Sequence, residues 1–210
     1  MLRAVHRASA ELGEAEAGPV RLAVARPSLR FGSRGRLVRI FHRKLRALAY
    51  PAPRGGVYND ATGRAVLAWR KVNRRARIQT PDRTMLRRVL AGRGAYKVRY
   101  PRLGRHVEAD LSLQVMSLVD GDRLVRTYHV SSGAPATPTI VGRFRVYRKD
   151  PGTNAIGMVH STYFRGGYAI HGYRSVPTYN ASHGCLRVPI PDAWRIFSWI
   201  RMGDAIVVDR

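Results

Sequence analysis

Cysteine is nearly absent: Cys185 is the only one, which excludes an intramolecular disulfide and any metal site built from cysteine alone. Lysine is scarce too. Only Lys44, Lys71, Lys97 and Lys149 occur, so arginine supplies 34 of the 38 basic residues. Acidic residues number 13, leaving a formal net charge of +25. An arginine excess can reflect genome base composition as much as binding, but its sign still implies polyanionic surroundings: nucleic acid, anionic membrane or anionic cell wall. No apolar run reaches the ~18 residues of a membrane-spanning helix. Met1 to Gly18 carries Glu11, Glu14 and Glu16 where a signal peptide needs an apolar core, so no export signal is visible. What is present is a chain of 210 residues, 45% hydrophobic, enough for one globular domain or two small ones and too apolar for a disordered tail.

The charge is uneven. Net charge is +2 over 1–32, +19 over 33–105 and +4 over 106–210. That asymmetry suggests two modules behind an N-terminal extension, 1–32. In the basic module, Leu37, Ile40, Phe41, Leu45 and Leu48 recur at helical spacing, and Pro51 to Gly56 breaks the pattern. Asp60 or Thr62 could cap a second helix carrying Ala65, Val66 and Trp69. Thr80-Pro81 reads as cap and first position of a third, with Leu86, Val89 and Leu90 facing inward.

From Tyr96 the period becomes two. Leu111, Leu113 and Val115 alternate with Ser112 and Gln114, and Asp120-Gly121 turns into a further extended stretch, Leu124 to Val130. Phe144 and Val146 mark another strand, and Tyr168-Ala169-Ile170 a short one ending at His171. One helix, about Asp192 to Arg201, carries Trp194, Phe197 and Ile200; Ala205 to Val208 closes the chain as a strand. The fold class is α+β and multidomain: a three-helix domain at 33–95, then a mainly-β, sandwich-like domain at 96–210.

Cys185 stands in Ser182-His183-Gly184-Cys185-Leu186-Arg187, fourteen residues after His171-Gly172. A lone cysteine is more often an inert buried residue than a nucleophile. To act, a thiol of pKa ~8.5 needs a base or a positive field. His171 and His183 are both candidate bases. Gly184 permits tight backbone geometry before the sulfur, where amides could converge on an oxyanion, and Arg187 adds positive charge. Arg187 is equally readable as a structural ion-pair partner. Tyr163 and Phe164 either line a cleft or sit in the core. His160, His171, His183 and Cys185 could also be read as a zinc set, but no recognised ligand spacing supports it, and no metal is assigned. Ser131-Ser132-Gly133 reads as a turn rather than a second nucleophile.

The pattern His171-Gly172 … Ser182-His183-Gly184-Cys185-Leu186-Arg187 resembles the signature of the L,D-transpeptidase (YkuD-type) catalytic domain. The resemblance covers about 97–210. It takes in Ala109 to Gln114, Val130 to Gly133, Thr137-Pro138-Thr139 to Phe144 and Gly203 to Val208. One departure is the short interval from His171 to Cys185, which implies a trimmed loop at the rim of the site. The resemblance implies that Cys185 attacks the carbonyl between the diamino acid and terminal D-Ala of a peptidoglycan stem. His171 would be general base and acid, oriented by the Gly172 carbonyl. The backbone of His183, Gly184 and Cys185 would bind the oxyanion, Ser182 and Arg187 would brace the loop, and Arg187 would lie near the donor stem. A second stem's amine would complete a 3–3 cross-link, whereas water would make the enzyme an L,D-carboxypeptidase. No cofactor is implied, carbapenem acylation of Cys185 is, and the location implied is exported, in the cell wall or periplasm.

Residues 33–92 resemble, less specifically, a small peptidoglycan-binding domain through Gly55 to Thr62 and Ala65 to Trp69, ending near Leu86 and Leu90. Arg54 and Arg70 replace the acidic residue and the glutamine common there. The partners implied are stem peptides, glycan and anionic wall polymers. The alternatives are a docking layer with a solvated arginine surface, a wall-binding protein without catalysis, and a nucleic-acid binder. The last ranks behind the others, because no helix-turn-helix or stacking platform is visible.

Overall fold

The computed structural model describes residues 28–210; the N-terminal extension expected at 1–32 therefore lies, up to residue 27, outside the described residues. Among the described residues three helices come first: α1 (Arg36–Ala47), α2 (Asp60–Val72) and α3 (Arg83–Leu90). The apolar residues at helical spacing turn inward as a core of their own, with Val38, Phe41, Leu45, Trp69 and Val89 each at most 1% exposed. The cap of α2 is Asn59, whose side chain accepts from the Thr62 amide while Thr62 reaches back to the Asn59 amide. Helix α3 starts later than Thr80-Pro81 suggests. Asp82 is its cap, because a carboxylate accepts the Met85 amide at 2.7 Å.

Nine strands follow, β1 (Arg105–Asp110), β2 (Val115–Asp120), β3 (Arg123–His129), β4 (Gly142–Arg145), β5 (Arg148–Thr153), β6 (Val159–Arg165), β7 (Tyr168–Tyr173), β8 (Leu186–Pro189) and β9 (Ala205–Asp209), with helix α4 (Ile190–Trp199) between the last two. They form two sheets, ordered β3-β2-β1-β9-β4 and β5-β6-β7-β8. The expected β2–β3 hairpin forms around Asp120-Gly121, with Gly121 at φ +64°. The alternation of Leu111, Leu113 and Val115 does not make a strand. Leu111 to Gln114 is instead the turn between β1 and β2, because Asp110 caps the Leu113 amide at 2.8 Å and Gln114 takes φ +56°. Helix α4 is rotated from the expected face. Ala193, Ile196 and Ile200 pack inward while Trp194 is 59% exposed.

The inner faces of both sheets and of α4 share one core, including Val107, Met116, Ile170, Leu186, Val188 and Ile206. Each such aliphatic side chain contributes about 1.5–3 kcal/mol on burial. The helical layer is tied to this body by polar contacts. Arg64 pairs with Asp192 of α4 at 2.9 Å, and Arg77 donates to the Ser112 and Thr178 carbonyls.

Lys71 of α2 is 2% exposed and donates to the Gln114 and Val130 carbonyls at 3.0 and 2.9 Å. Burial, aided by the nearby Arg77 charge, brings its pKa down to about 7. The unfolded chain then binds more protons than the folded one between that value and the ordinary lysine range. Stability should therefore rise from pH 7 towards 10, by at most about 1.4 kcal/mol per pH unit for this group. Urea midpoints of the wild type and Lys71→Met across that range check this: the wild type should gain on the variant as pH rises. Parallel pH curves would assign Lys71 no part in the titration.

Candidate active site

Strands β7 and β8 run parallel, with Ile170 opposite Leu186 and His171 opposite Arg187. Successive side chains of a strand face opposite sides. Ile170, Leu186 and Val188 therefore enter the core, while His171, Tyr173, Cys185 and Arg187 emerge together on the outer face of the second sheet. These four line a cavity of about 300 Å³. Ser182 and His183 from the preceding loop, and Ile156, Met158 and Gly167 from the facing turns, complete its wall. The two ends of the sequence motif, fourteen residues apart, meet because the crossover between parallel strands returns the chain to the same edge.

His171 is buried, and its Nδ1 lies 2.9 Å from the Gly172 carbonyl oxygen. A carbonyl only accepts, so Nδ1 carries the hydrogen and Nε2 holds the free lone pair. Burial holds the imidazole below its ordinary pKa, the Gly172 bond opposes this, and the Arg187 charge adds to the lowering. Burial raises the Cys185 thiol, offset in part by a backbone hydrogen bond from Ala169 and by the Arg187 charge. Both shifts favour the neutral forms, thiol and imidazole, over a preformed ion pair. The Tyr173 ring meets the His171 ring edge-on at 5.6 Å, and the Arg187 guanidinium lies 4.3 Å from the Tyr173 centroid while donating to the Ala181 carbonyl.

The loop before Cys185 is held from beneath. Thr137 Oγ1 donates to the Ser182 carbonyl and Thr139 Oγ1 to that of Gly184, while Ser182 Oγ donates to the Cys185 carbonyl at 2.6 Å. The Gly184 amide is spent on Ser182 Oγ at 3.1 Å, whereas the amides of His183 and Cys185 donate to no protein acceptor among the described residues. Gly184 sits at φ +114°, and a Cβ there would stand 2.7 Å from Tyr168 Cε1. Only glycine combines that φ with that approach. Gly172 is constrained differently: a Cβ would meet the Cβ of Ala193 at 2.7 Å, so it lets α4 close on β7.

Of the residues singled out from the sequence, Cys185, His171, Ser182, His183 and Arg187 line one cavity, and Gly172 and Gly184 flank it. Tyr163 and Phe164 do not line it. Phe164 is in the sandwich core against Phe144 and Tyr168, and Tyr163 packs with Met158 and Ala169 in a small cluster that touches Cys185. Strand parity turns Phe164 into the core, whereas Tyr163 shares the outer face with Ala169 but lies on β6, a strand away from His171. His160 is apart from the site, its ring 5.1 and 5.4 Å from those of Trp194 and Phe197. Among the described residues no three metal-ligating side chains gather. Tyr173 was not singled out from the sequence, although its two-residue spacing from His171 could have revealed it; Thr139, named there only within the family pattern, supports the loop through a contact no local pattern encodes.

A family model for the L,D-transpeptidase catalytic domain (YkuD) matches residues 104–208. The crystal structure of an L,D-transpeptidase (residues 123–326) from Xylanimonas cellulosilytica is 32% identical with a TM-score of 0.79, over 87% of this chain and 97% of that one. That match is too long to be confined to the β domain. An L,D-transpeptidase structure from Stackebrandtia nassauensis shares the fold at 17% identity and a TM-score of 0.54, over 87% and 95% of the two chains. No curated protein matches the sequence.

Proposed function

Since the chain belongs to the L,D-transpeptidase (YkuD) catalytic-domain family, we propose that it forms 3–3 cross-links in peptidoglycan through an acyl-enzyme on Cys185. The observation that carries this reading is that Cys185 and His171 line one cavity, with Nδ1 of the histidine committed to the Gly172 carbonyl. Nε2 takes the thiol proton as sulfur attacks the carbonyl between the diamino acid and D-Ala of a tetrapeptide stem. The tetrahedral oxyanion is received by the amides of His183 and Cys185, the two that the loop leaves free. Collapse breaks the C–N bond, His171 returns the proton to the departing D-Ala amine, and a thioester remains. The side-chain amine of a second stem then attacks the thioester, and the thiol is regenerated.

Arg187, held over the Tyr173 ring, faces a carboxylate of the donor stem. Gly184 serves the loop by its conformation rather than by its amide, and Ser182 braces it. The reaction places the enzyme outside the cytoplasm, at the wall. Residues 33–95 form a wall-facing helical domain on this reading, and the catalytic domain occupies 96–210. The observation behind that reading is the separate core of the helices, which also takes in Leu29 from the segment expected as an extension.

The test is mass spectrometry of the intact protein and of products after mixing with a disaccharide-tetrapeptide. The wild type should release D-Ala, carry a thioester adduct and yield a cross-linked dimer, and Cys185→Ala should do none of these. A trimmed tripeptide without dimer would make water the acceptor and the enzyme an L,D-carboxypeptidase. Absence of both adduct and turnover would leave a wall-binding protein without catalysis.

A further inference from the structure

A second concave surface lies where the helical layer meets the sandwich. Five arginines line it: Arg46 and Arg54 from the end of α1 and the loop after it, Arg64 of α2, Arg126 of β3 and Arg195 of α4. The groove encloses about 320 Å³. Its one carboxylate, Asp192, is already paired with Arg64 at 2.9 Å. Arg46 and Arg126 are fixed by donation to the Pro53 and Tyr50 carbonyls, respectively. Arg54 and Arg195 are exposed and make no ion pair among the described residues. Five like charges gathered around a single carboxylate are unfavourable, and burial together with the charges of Arg54, Arg126 and Arg43 presses Arg46 below the ordinary arginine pKa. Such a cluster is stabilised by an anion that several guanidinium groups share.

We propose that this groove binds a linear phosphodiester polymer with small polyol linkers, of the poly(glycerol phosphate) type. The walls between the arginines are Pro51, Ala52, Pro53, Ala61 and Pro191, which suit short neutral linkers between phosphates. No aromatic ring lines the groove, so the bases of a nucleic acid would find no stacking surface. A phosphodiester, like a carboxylate, presents two anionic oxygens to a guanidinium fork, but it carries them in the main chain of the polymer rather than at the ends of side chains, which favours phosphate over an acidic peptide where the arginines are separated only by proline and alanine. The groove also leads towards the thiol. Arg64 and Pro191 belong both to it and to a neighbouring cavity that reaches Tyr173, and Tyr173 lines the catalytic cavity. A polymer held here would align the catalytic cleft along the wall. The binding itself does not rest on the acyl transfer.

The experiment titrates the full chain into a fluorescent poly(glycerol phosphate) oligomer at several salt concentrations. Arg54→Gln combined with Arg195→Gln should weaken binding at least tenfold and flatten the salt dependence by about one to two phosphate contacts. The pair Arg83→Gln and Arg87→Gln on α3, exposed and outside the groove, should change affinity less than threefold. Thermal midpoints establish that both variants fold, independently of any activity on stems. Equal weakening by both pairs, or none by the first, would overturn the site. Equally tight binding of single-stranded DNA or polyglutamate of matched charge would overturn the ligand class.

Discussion

Acyl-enzyme formation at pH 7 should fall by about 10²–10⁴-fold when His171 is replaced by alanine, and the shape of the pH profile should change with it. In the wild type the imidazole pKa is held low and the thiol pKa high, so neutral base and intact thiol coexist across a broad interval around neutrality. The rate should therefore be flat there and decline on the acid side, below the ordinary histidine pKa, where His171 becomes protonated. Without the imidazole the only nucleophile is the small thiolate fraction. The rate should then climb about tenfold per pH unit towards a thiol pKa above its ordinary value. Acylation by a carbapenem, followed by intact mass between pH 5 and 10, reads both limbs. A His171→Ala profile that kept its neutral plateau would assign the base to another group, and His183 would be tested next. Cys185→Ala should form no adduct at any pH, since this is the only thiol in the chain.

The second large effect is expected at a residue with no side chain. Gly184→Ala places a Cβ at φ +114° and 2.7 Å from Tyr168 Cε1, an aromatic atom that cannot swing aside as a flexible chain end would. The backbone strain costs about 1–3 kcal/mol and the overpacking a similar amount. Relieving that strain turns the peptides on either side of Gly184 and pulls the Gly184 carbonyl off Thr139. The peptide that follows Gly184 carries the amide of Cys185. Losing the alignment of one oxyanion donor costs about 10²–10³ in rate. Gly184→Ala should thus lower the urea midpoint and slow acylation by at least 100-fold. Adding Tyr168→Ala relieves the contact but not the φ, and should recover stability more than rate. Wild-type acylation in Gly184→Ala would remove the loop from the oxyanion site.

Much of the strand pair that carries the candidate site was legible because periodicity and motif agree there. Tyr168 to His171 reads as a strand, the motif names Cys185, and the parity of the two strands puts both side chains on one face. The helices were legible from apolar spacing, but the cap of α3 was not: Thr80-Pro81 and Asp82 are both good starts, and which one wins depends on which side chain reaches an amide. Leu111 to Gln114 misled for a related reason. Its alternation imitates a strand, yet Asp110 and Gln114 close it into a turn. Strands β5, β6 and β8 carry weak patterns, because β5 is an exposed edge and β8 is four residues long.

The sequence by itself determined the chemistry available to this protein: one thiol, a histidine in register with it, a glycine before the sulfur and a large excess of arginine. These are properties of composition and local spacing, independent of how the elements pack. Tertiary structure alone decided which arginines converge and which aromatic residues stay in the core. It also made Lys71 a buried strut between helix and sheet, and left the His183 and Cys185 amides free where that of Gly184 is taken. The physical reason is that each of these depends on contacts between residues far apart in the chain, such as Arg64 with Asp192 or Thr139 with Gly184. Local pattern does not encode such contacts until two sheets and a helical layer have closed around them.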